Sequence, residues 1–165
     1  MFYQILILIL LTFIPFLELR FSIPAGILTT TVSLPFNQSI SGMGLNPILV
    51  IITCIFANII LGIIIYQLIF FIKKYLIHFP KINFLLDKFL NKAHKKVKPF
   101  KEKYGILGIA LFIAVPLPGS GSYSGALGSY MLGLTKKEFY LANTIGVILA
   151  GIIVALITLG IFSFI

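Results

Sequence analysis

Residues 14–26 read IPFLELRFSIPAG, and this stretch decides which fold the sequence predicts. It sets Glu18 and Arg20 between Pro15 and Pro24 in a part of the chain that is otherwise free of charge. A charged side chain inside a bilayer costs about 2.5–3.5 kcal/mol even on insertion scales, and such residues usually have a functional role. A short polar loop at the membrane surface, in which the two charges pair, is the alternative interpretation.

The composition indicates an integral membrane protein. The chain has 165 residues, of which 59% are hydrophobic and 10% charged, whereas soluble domains are about 25% charged. This length accommodates one membrane domain, residues 1–165, and no separate catalytic domain, so we expect no enzymatic activity. The single cysteine excludes a disulfide framework. No spacing of metal ligands is present, and we expect neither a metal nor a cofactor.

The net charge of +9 comes from two short segments, residues 73–103 and 136–138. Lysines next to apolar segments mark the cytoplasmic side of a membrane, where they contact anionic head groups. Nucleic acid is not an expected partner, because the chain lacks a basic soluble face. We therefore expect a multi-pass protein of the cell (plasma) membrane, with the 73–103 connector in the cytoplasm and both termini outside.

The first half of the chain predicts a broken helix. Residues 2–14 are apolar but too short for the roughly 20 residues that a spanning helix needs. Pro15 ends this arm because it lacks a backbone donor, and Pro24 repeats the interruption. We predict a helical hairpin over residues 3–34 that enters the membrane and turns back.

A polar loop and a spanning helix follow this hairpin. Residues 27–46 carry no charge and predict a polar loop on the outer side. Residues 47–72 predict a spanning helix, in which Asn58 either packs against another helix or lines a polar site. The basic segment 73–103 then shows apolar residues at helical spacing, which is typical of an amphipathic helix lying in the membrane interface.

The second half predicts another interrupted hairpin, over residues 104–135. Residues 116–125 read PLPGSGSYSG, and this composition cannot continue a helix. The segment lacks the lysine of a phosphate-binding loop and any serine-hydrolase pattern. A second spanning helix, residues 138–163, carries Asn143 near its start.

The order of parts is the same in residues 1–72 and in residues 104–165. We therefore predict an all-α integral membrane fold with two inverted repeats, each a re-entrant helical hairpin followed by a transmembrane helix, joined by a basic amphipathic cytoplasmic helix. Interrupted segments at matching positions of two halves indicate a transport site near the membrane midplane. A four-span bundle with two external loops is the alternative.

The predicted substrate and proton site lies where the two hairpin tips would meet. In an extended break, Glu18 and Arg20 would project to the same side. Glu18 is the candidate for carrying a proton, and the planar guanidinium of Arg20 suits a phosphate or a carboxylate. The second tip offers backbone donors and hydroxyls rather than charge. The complete set of candidate residues is Glu18, Arg20, Pro15, Pro24, Pro116, Pro118, Gly119, Ser120, Gly121, Tyr123, Asn58 and Asn143.

Residues 15–26 and 104–125 together resemble the family of small multidrug export proteins, which is distantly similar to the DedA membrane proteins and their eukaryotic (VTT) lipid-scramblase relatives. The resemblance implies two inverted re-entrant hairpins and the movement of lipids or amphipathic compounds. For DedA proteins it implies proton-dependent flipping of a phosphate-bearing lipid. Here the second tip has no arginine where DedA proteins carry theirs.

These observations predict a transporter, proton-coupled and DedA-like, that moves a phosphate-bearing lipid or another amphipathic anion. One alternative is a small multidrug or cation exporter, in which Glu18 binds the cation and Arg20 is its structural partner. Another is a structural or assembly protein without transport. The expected partners are membrane lipids, anionic head groups and a small amphipathic substrate, and a homo-oligomer stays open.

Overall fold

The structure is a computed structural model that describes residues 2–15, 17–34, 38–76, 80–117 and 119–163, and within them all side chains except those of 32–34, 38–40, 73–76, 80–90, 93 and 161–163. The described chain contains six helices and one pair of strands, which confirms the predicted helical class. The elements are α1 (Phe2–Phe13), α2 (Glu18–Ile27), β1 (Thr31–Leu34), β2 (Gln38–Ser41), α3 (Pro47–Leu76), α4 (Pro80–Ala114), α5 (Ser122–Met131) and α6 (Lys136–Ser163).

Two helices are long and apolar enough to cross a membrane, Pro47–Ile72 of α3 and Lys136–Gly160 of α6. Large apolar side chains on both helices are exposed, for example Phe56, which is 64% exposed, and Leu156, which is 66% exposed. Such surfaces suit contact with lipid, because a bilayer interior is as apolar as these side chains.

The starts of these two helices are determined by local capping. Asn46 accepts a hydrogen bond from the backbone N–H of Ile48 at 2.9 Å, and Pro47 occupies the first turn, where its missing donor is not needed. At α6, the backbone N–H of Thr135 donates to Glu138 at 2.7 Å and the N–H of Glu138 donates to the Thr135 hydroxyl at 3.3 Å. This reciprocal pair is a capping box.

The first hairpin consists of α1 and α2, which are joined by a tight turn. The backbone N–H groups of Leu17 and Glu18 donate to the Ile14 carbonyl at 3.2 and 3.4 Å. Pro15 lies exposed in this turn, so the predicted break after the first arm is confirmed. The arms pack closely, since a Cβ on Gly26 would lie 3.1 Å from a methyl carbon of Leu8.

The second predicted interruption, at Pro24, is wrong because Pro24 lies inside α2. The proline removes one donor from the helix, but α2 ends only three residues later. The carbonyls that remain open at this end accept hydrogen bonds from a neighbouring segment, Ala25 from Met43 and Gly26 from Leu45, each at 2.9 Å. Tertiary contacts therefore stabilise a helical end that proline alone would weaken.

The predicted polar loop contains a β-hairpin. Strands β1 and β2 pair antiparallel, with Thr31 opposite Ser41 and Leu34 opposite Gln38. The strands include the β-branched residues Thr31, Val32 and Ile40, which favour strands. The lack of charge in this segment was uninformative about its secondary structure.

Helix α4 has two arms, because Gly105 has non-helical backbone angles, φ 61° and ψ −137°. The break falls where the sequence changes from basic to apolar. The second arm folds back against the first so closely that a Cβ on Gly108 would lie 1.8 Å from the carbonyl oxygen of Phe100. The rings of Phe100 and Phe112 meet edge to face at 5.3 Å.

The second interruption is shorter than residues 116–125, because α5 already begins at Ser122. Tyr123 and Gly125 therefore lie on a helix, and their predicted place in the break is wrong. A Cβ on Gly125 would lie 2.6 Å from Cγ1 of Ile113, so this glycine allows α5 to pack against the second arm of α4. Packing of this kind stabilises a helix that propensity alone would not.

The contacts divide the chain into two compact units, residues 1–58 with 148–165, and residues 59–147. The first unit contains α1 and α2, and its core includes Leu8 and Ile23, both fully buried. The second contains α4 and α5. Whether either hairpin is re-entrant stays a prediction, as do the inverted repeat and the cytoplasmic position of the connector.

We expect the substitution Gly108→Ala to destabilise the protein strongly. The new methyl group would overlap the backbone carbonyl of Phe100, which cannot move without distorting the first arm of α4. Overpacking of this kind costs about 1–3 kcal/mol. Thermal unfolding of the purified protein in detergent measures the loss.

A matched control is Gly160→Ala on α6, where a Cβ meets no atom within 4 Å among the described residues. Alanine in a helix is more favourable than glycine by about 0.5–1 kcal/mol. This variant should therefore unfold at an equal or higher temperature than the wild type. An equal loss of stability in both variants would contradict the close approach at Gly108.

Candidate transport site

Glu18 is the first residue of α2, and its side chain is buried, with 4% of its surface exposed. Its backbone has φ 45°, and it is the one non-glycine residue with positive φ in the part of the chain that the structure describes. Residues other than glycine avoid this region because of steric contacts, and such strain costs about 1–3 kcal/mol. Strained residues of this kind cluster at functional sites.

The side chain of Asn58 on α3 faces the Glu18 carboxylate. Its Nδ2 donates to Oε2 of Glu18 at 3.5 Å, which is a long hydrogen bond. Asn58 is 2% exposed, and its Oδ1 has no hydrogen-bond partner among the described residues. The predicted contribution of Asn58 to a polar site thus has a geometric basis, because buried amide oxygens are normally bonded.

Arg20 lies one turn into α2, and its side chain is half-buried. Its guanidinium interacts electrostatically with the carboxylate of Glu18. Residues two apart on a helix point in different directions, so the predicted common orientation of the two side chains in an extended break is wrong. The two charged side chains therefore interact with each other within α2 and do not project together toward one ligand.

Three further polar side chains form a connected group that reaches the backbone of Glu18, and the sequence prediction did not include them. The Thr12 hydroxyl lies 2.9 Å from the Ser22 hydroxyl, and Ser22 donates to the Glu18 carbonyl at 3.0 Å. The thiol of Cys54 hydrogen-bonds with both hydroxyls. We call these three residues, with Glu18 and Asn58, the acidic cluster. All five belong to the first unit, and each is at most 4% exposed.

A sequence signal for this cluster did exist. Glu18 and Ser22 are four residues apart, as are Cys54 and Asn58, and residues at this spacing lie on the same face of a helix. This spacing is informative only if residues 18–27 are known to form a helix. Pro15 and Pro24 instead indicated a break in this segment.

The second break runs from Val115 to Gly121, between α4 and α5. The hydroxyl of Ser120 lies 2.5 Å from the Val115 carbonyl oxygen and 2.8 Å from that of Leu117. Gly119 and Gly121 have φ of 83° and 102°, which only glycine adopts readily. The Ser120 hydroxyl therefore stabilises the break by hydrogen bonding to its backbone carbonyls.

A charged group does reach this second break, contrary to the prediction of a charge-free tip. Nζ of Lys96, from the first arm of α4, lies 3.4 Å from the Gly119 carbonyl oxygen. The other predicted residues are distributed around the break: Pro116 is half-buried, and Tyr123 is half-buried on α5. Pro118 lies outside the described residues.

Asn143 on α6 is fully buried and belongs to the second unit. Its Nδ2 donates to the carbonyl of Ile59 on α3 at 3.2 Å, and its Oδ1 has no partner among the described residues. The amide lies against Gly62, where a Cβ would lie 2.4 Å from Oδ1. Asn143 thus connects α6 to α3 through a close approach at a glycine, which is common in membrane bundles.

The predicted site residues fall into two groups. Glu18, Arg20 and Asn58 belong to the first unit, and the second break and Asn143 belong to the second. The meeting of the two tips stays a prediction. In the part of the chain that the structure describes, no group of three or more His, Cys, Asp or Glu side chains could hold a metal ion.

A family model described as "Putative small multi-drug export protein" matches residues 18–153, which include the acidic cluster from Glu18 onward and the second break. The chain belongs to this family. No curated protein and no solved structure matches it. Membership in the small multi-drug export family, together with the two apolar helices, makes the chain a membrane protein of the transport class.

We expect Gly62→Ala to disrupt the Asn143 contact. The added methyl group would displace the amide and break its hydrogen bond to the Ile59 carbonyl, at a cost of about 1–3 kcal/mol in the free energy of unfolding. In an Asn143→Ala background the same substitution should cost much less, because the displaced group is gone. Unfolding of the four proteins as a double-mutant cycle measures this coupling, and strictly additive losses would contradict the contact.

Proposed function

We propose that this protein is a membrane transporter that exports small amphipathic cations and binds them at Glu18. The observation that carries the proposal is a buried carboxylate, 4% exposed, in a chain whose family is described by drug export. A buried charge is costly unless it is paired, and an ionisable residue in an apolar helical segment usually marks a substrate or proton pathway. Direct binding and transport, rather than an enzymatic reaction, is the proposed activity.

Competition for the carboxylate supplies the coupling. A bound cation neutralises Glu18, and so does a bound proton. The two ligands therefore exclude each other at one group, and binding of either lowers the affinity for the other. Export of one cation in exchange for a proton follows from this competition.

Arg20 is the structural partner of Glu18 in this mechanism. Its guanidinium interacts favourably with the ionised carboxylate and repels a cationic ligand. Arg20 therefore stabilises the ionised site when no cation is bound and lowers the affinity of the site for the cation. A transporter needs such moderate affinity, because a substrate that binds too tightly is not released.

The rest of the acidic cluster provides neutral hydrogen-bonding groups. Oδ1 of Asn58 is a buried acceptor without a partner among the described residues, and it can accept from an N–H group of a ligand. The hydroxyls of Thr12 and Ser22 lie on the same side of the hairpin. A ligand with one positive charge and a few donors matches these groups.

The second candidate function is transport of a phosphate-bearing lipid or another amphipathic anion. The observation that favours it is Arg20, the single arginine of the chain, which is only half-buried and has a planar fork suited to phosphate. In this case Arg20 contacts the anion and Glu18 carries the proton. The distant resemblance to DedA proteins supports the same alternative.

Replacement of Glu18 by glutamine tests the main proposal. In proteoliposomes with a pH gradient, Glu18→Gln should slow efflux of ethidium, a lipophilic cation, by at least about tenfold, equivalent to about 1.4 kcal/mol in activation free energy. The residual efflux should lose its dependence on the gradient. The matched control is Glu102→Gln, an exposed carboxylate that pairs with Lys98, which should transport normally. Unchanged, pH-dependent efflux by Glu18→Gln would contradict the assignment of Glu18 as the cation-binding residue.

The substitution Arg20→Lys separates the two candidates. Lysine keeps the positive charge beside Glu18 but loses the planar fork, so a cation exporter should retain ethidium efflux. A transporter of phosphate-bearing lipids should lose lipid movement, measured with a fluorescent anionic phospholipid in the same liposomes. Wild-type protein that moves neither probe would favour a structural or assembly protein and contradict both transport proposals.

A further inference from the structure

A cavity lies in the second unit, where the two arms of α4 meet the second break. Its volume is about 270 Å³. The first arm, the second arm and the break each contribute part of the wall. The lining residues are Lys96, Phe100, Phe112, Val115, Leu117, Gly119 and Ser120.

The wall of this cavity is mostly apolar, and its charge comes from one residue. Lys96 is exposed, and its side chain forms no ion pair among the side chains that the structure describes. The next lysine along the chain, Lys98, pairs instead with Glu102 at 3.6 Å. One ammonium group therefore faces the cavity, and its contact with the Gly119 carbonyl oxygen, at 3.4 Å, is weak.

The close approach of the arms fixes this arrangement. Gly119 has φ 83°, and a Cβ there would lie 2.5 Å from Nζ of Lys96. The edge-to-face contact of Phe100 with Phe112 forms the apolar side. The backbone thus places the apolar rings of Phe100 and Phe112 and the ammonium group of Lys96 in the wall of the same cavity.

We infer that this cavity binds a single-chain amphipathic anion from the membrane, with its aliphatic chain against Phe100 and Phe112 and its acidic head on Lys96. Charge complementarity determines the sign of the head group, since the described residues that line the cavity include no carboxylate. An ammonium group forms stronger hydrogen bonds with ionised acceptors than with a carbonyl. The anion therefore replaces the weak Gly119 contact of Lys96.

The volume restricts the size of the ligand. The cavity volume of about 270 Å³ lies at the lower end of the range of about 300–1,000 Å³ that drug-sized ligands occupy. The space suits the head group and part of one aliphatic chain of a single-chain acid or phosphate.

Purified full-length protein in nanodiscs of pure phosphatidylcholine provides the test. Calorimetric titration with decanoate and with decyl phosphate should show saturable binding beyond that of empty nanodiscs. Acetate, decanol and decyltrimethylammonium, which lack the chain, the charge or its sign, should not saturate. Lys96→Gln should weaken decanoate binding about tenfold, because it removes the charge-assisted contact.

The control for charge is Lys95→Gln, an adjacent exposed lysine that does not line the cavity; it should bind decanoate like the wild type. Val115→Phe keeps the charge but fills the space, and it should also weaken binding. Equal binding by the Lys96 and Lys95 variants, undiminished binding by Val115→Phe, or equal binding of decanol would overturn the inference. Glu18→Gln should leave decanoate binding intact, so this test does not depend on transport.

Discussion

The first unit must accommodate the buried side chain of Glu18, which is 4% exposed. An ionised acid in apolar surroundings costs several kcal/mol unless charge and hydrogen bonds compensate it. Arg20 supplies an opposite charge on the same helix, and Asn58 supplies a donor from α3. Both contacts are made at the first residue of α2, whose backbone has a positive φ and is therefore strained.

The end of α2 and the second break both leave backbone carbonyls outside regular helix, and their hydrogen bonds come from different donors. Buried backbone groups of this kind must find partners within the protein or in water. After α2, the amides of Met43 and Leu45 satisfy the open carbonyls of the helix. At the second break, a serine hydroxyl and the ammonium of Lys96 contact the carbonyls. The end of α2 is thus satisfied by backbone donors from the segment after β2, whereas the second break is satisfied by side-chain donors.

The sequence predicted the features that depend on composition over many residues. The two spans follow from long uncharged segments, and the first break follows from the missing donor of Pro15. Features that depend on tertiary contacts were not predictable. Pro24 lies within a helix because a distant segment satisfies the helical end, and Ser122–Gly125 is helical because Gly125 packs against Ile113. Lys96 contacts the second break because the chain reverses direction at Gly105. The local sequence around Lys96 does not indicate this contact.

The site was predictable in its charged residues and not in its neutral ones. Glu18 and Arg20 are conspicuous because they are rare in an apolar segment, whereas Thr12, Ser22 and Cys54 are tolerated anywhere in a helix. Their assembly around Glu18 depends on the packing of α1, α2 and α3.

The opposite signs of the two polar regions explain why export is assigned to Glu18 and not to the second break. A drug-export family needs a site for amphipathic organic compounds, and many such compounds are cations. The acidic cluster offers a carboxylate to a cation, whereas the Lys96 cavity offers an ammonium group and therefore attracts anions. Matching order of elements in the two halves therefore does not imply matching chemistry, because side chains rather than backbone breaks determine which ligand binds.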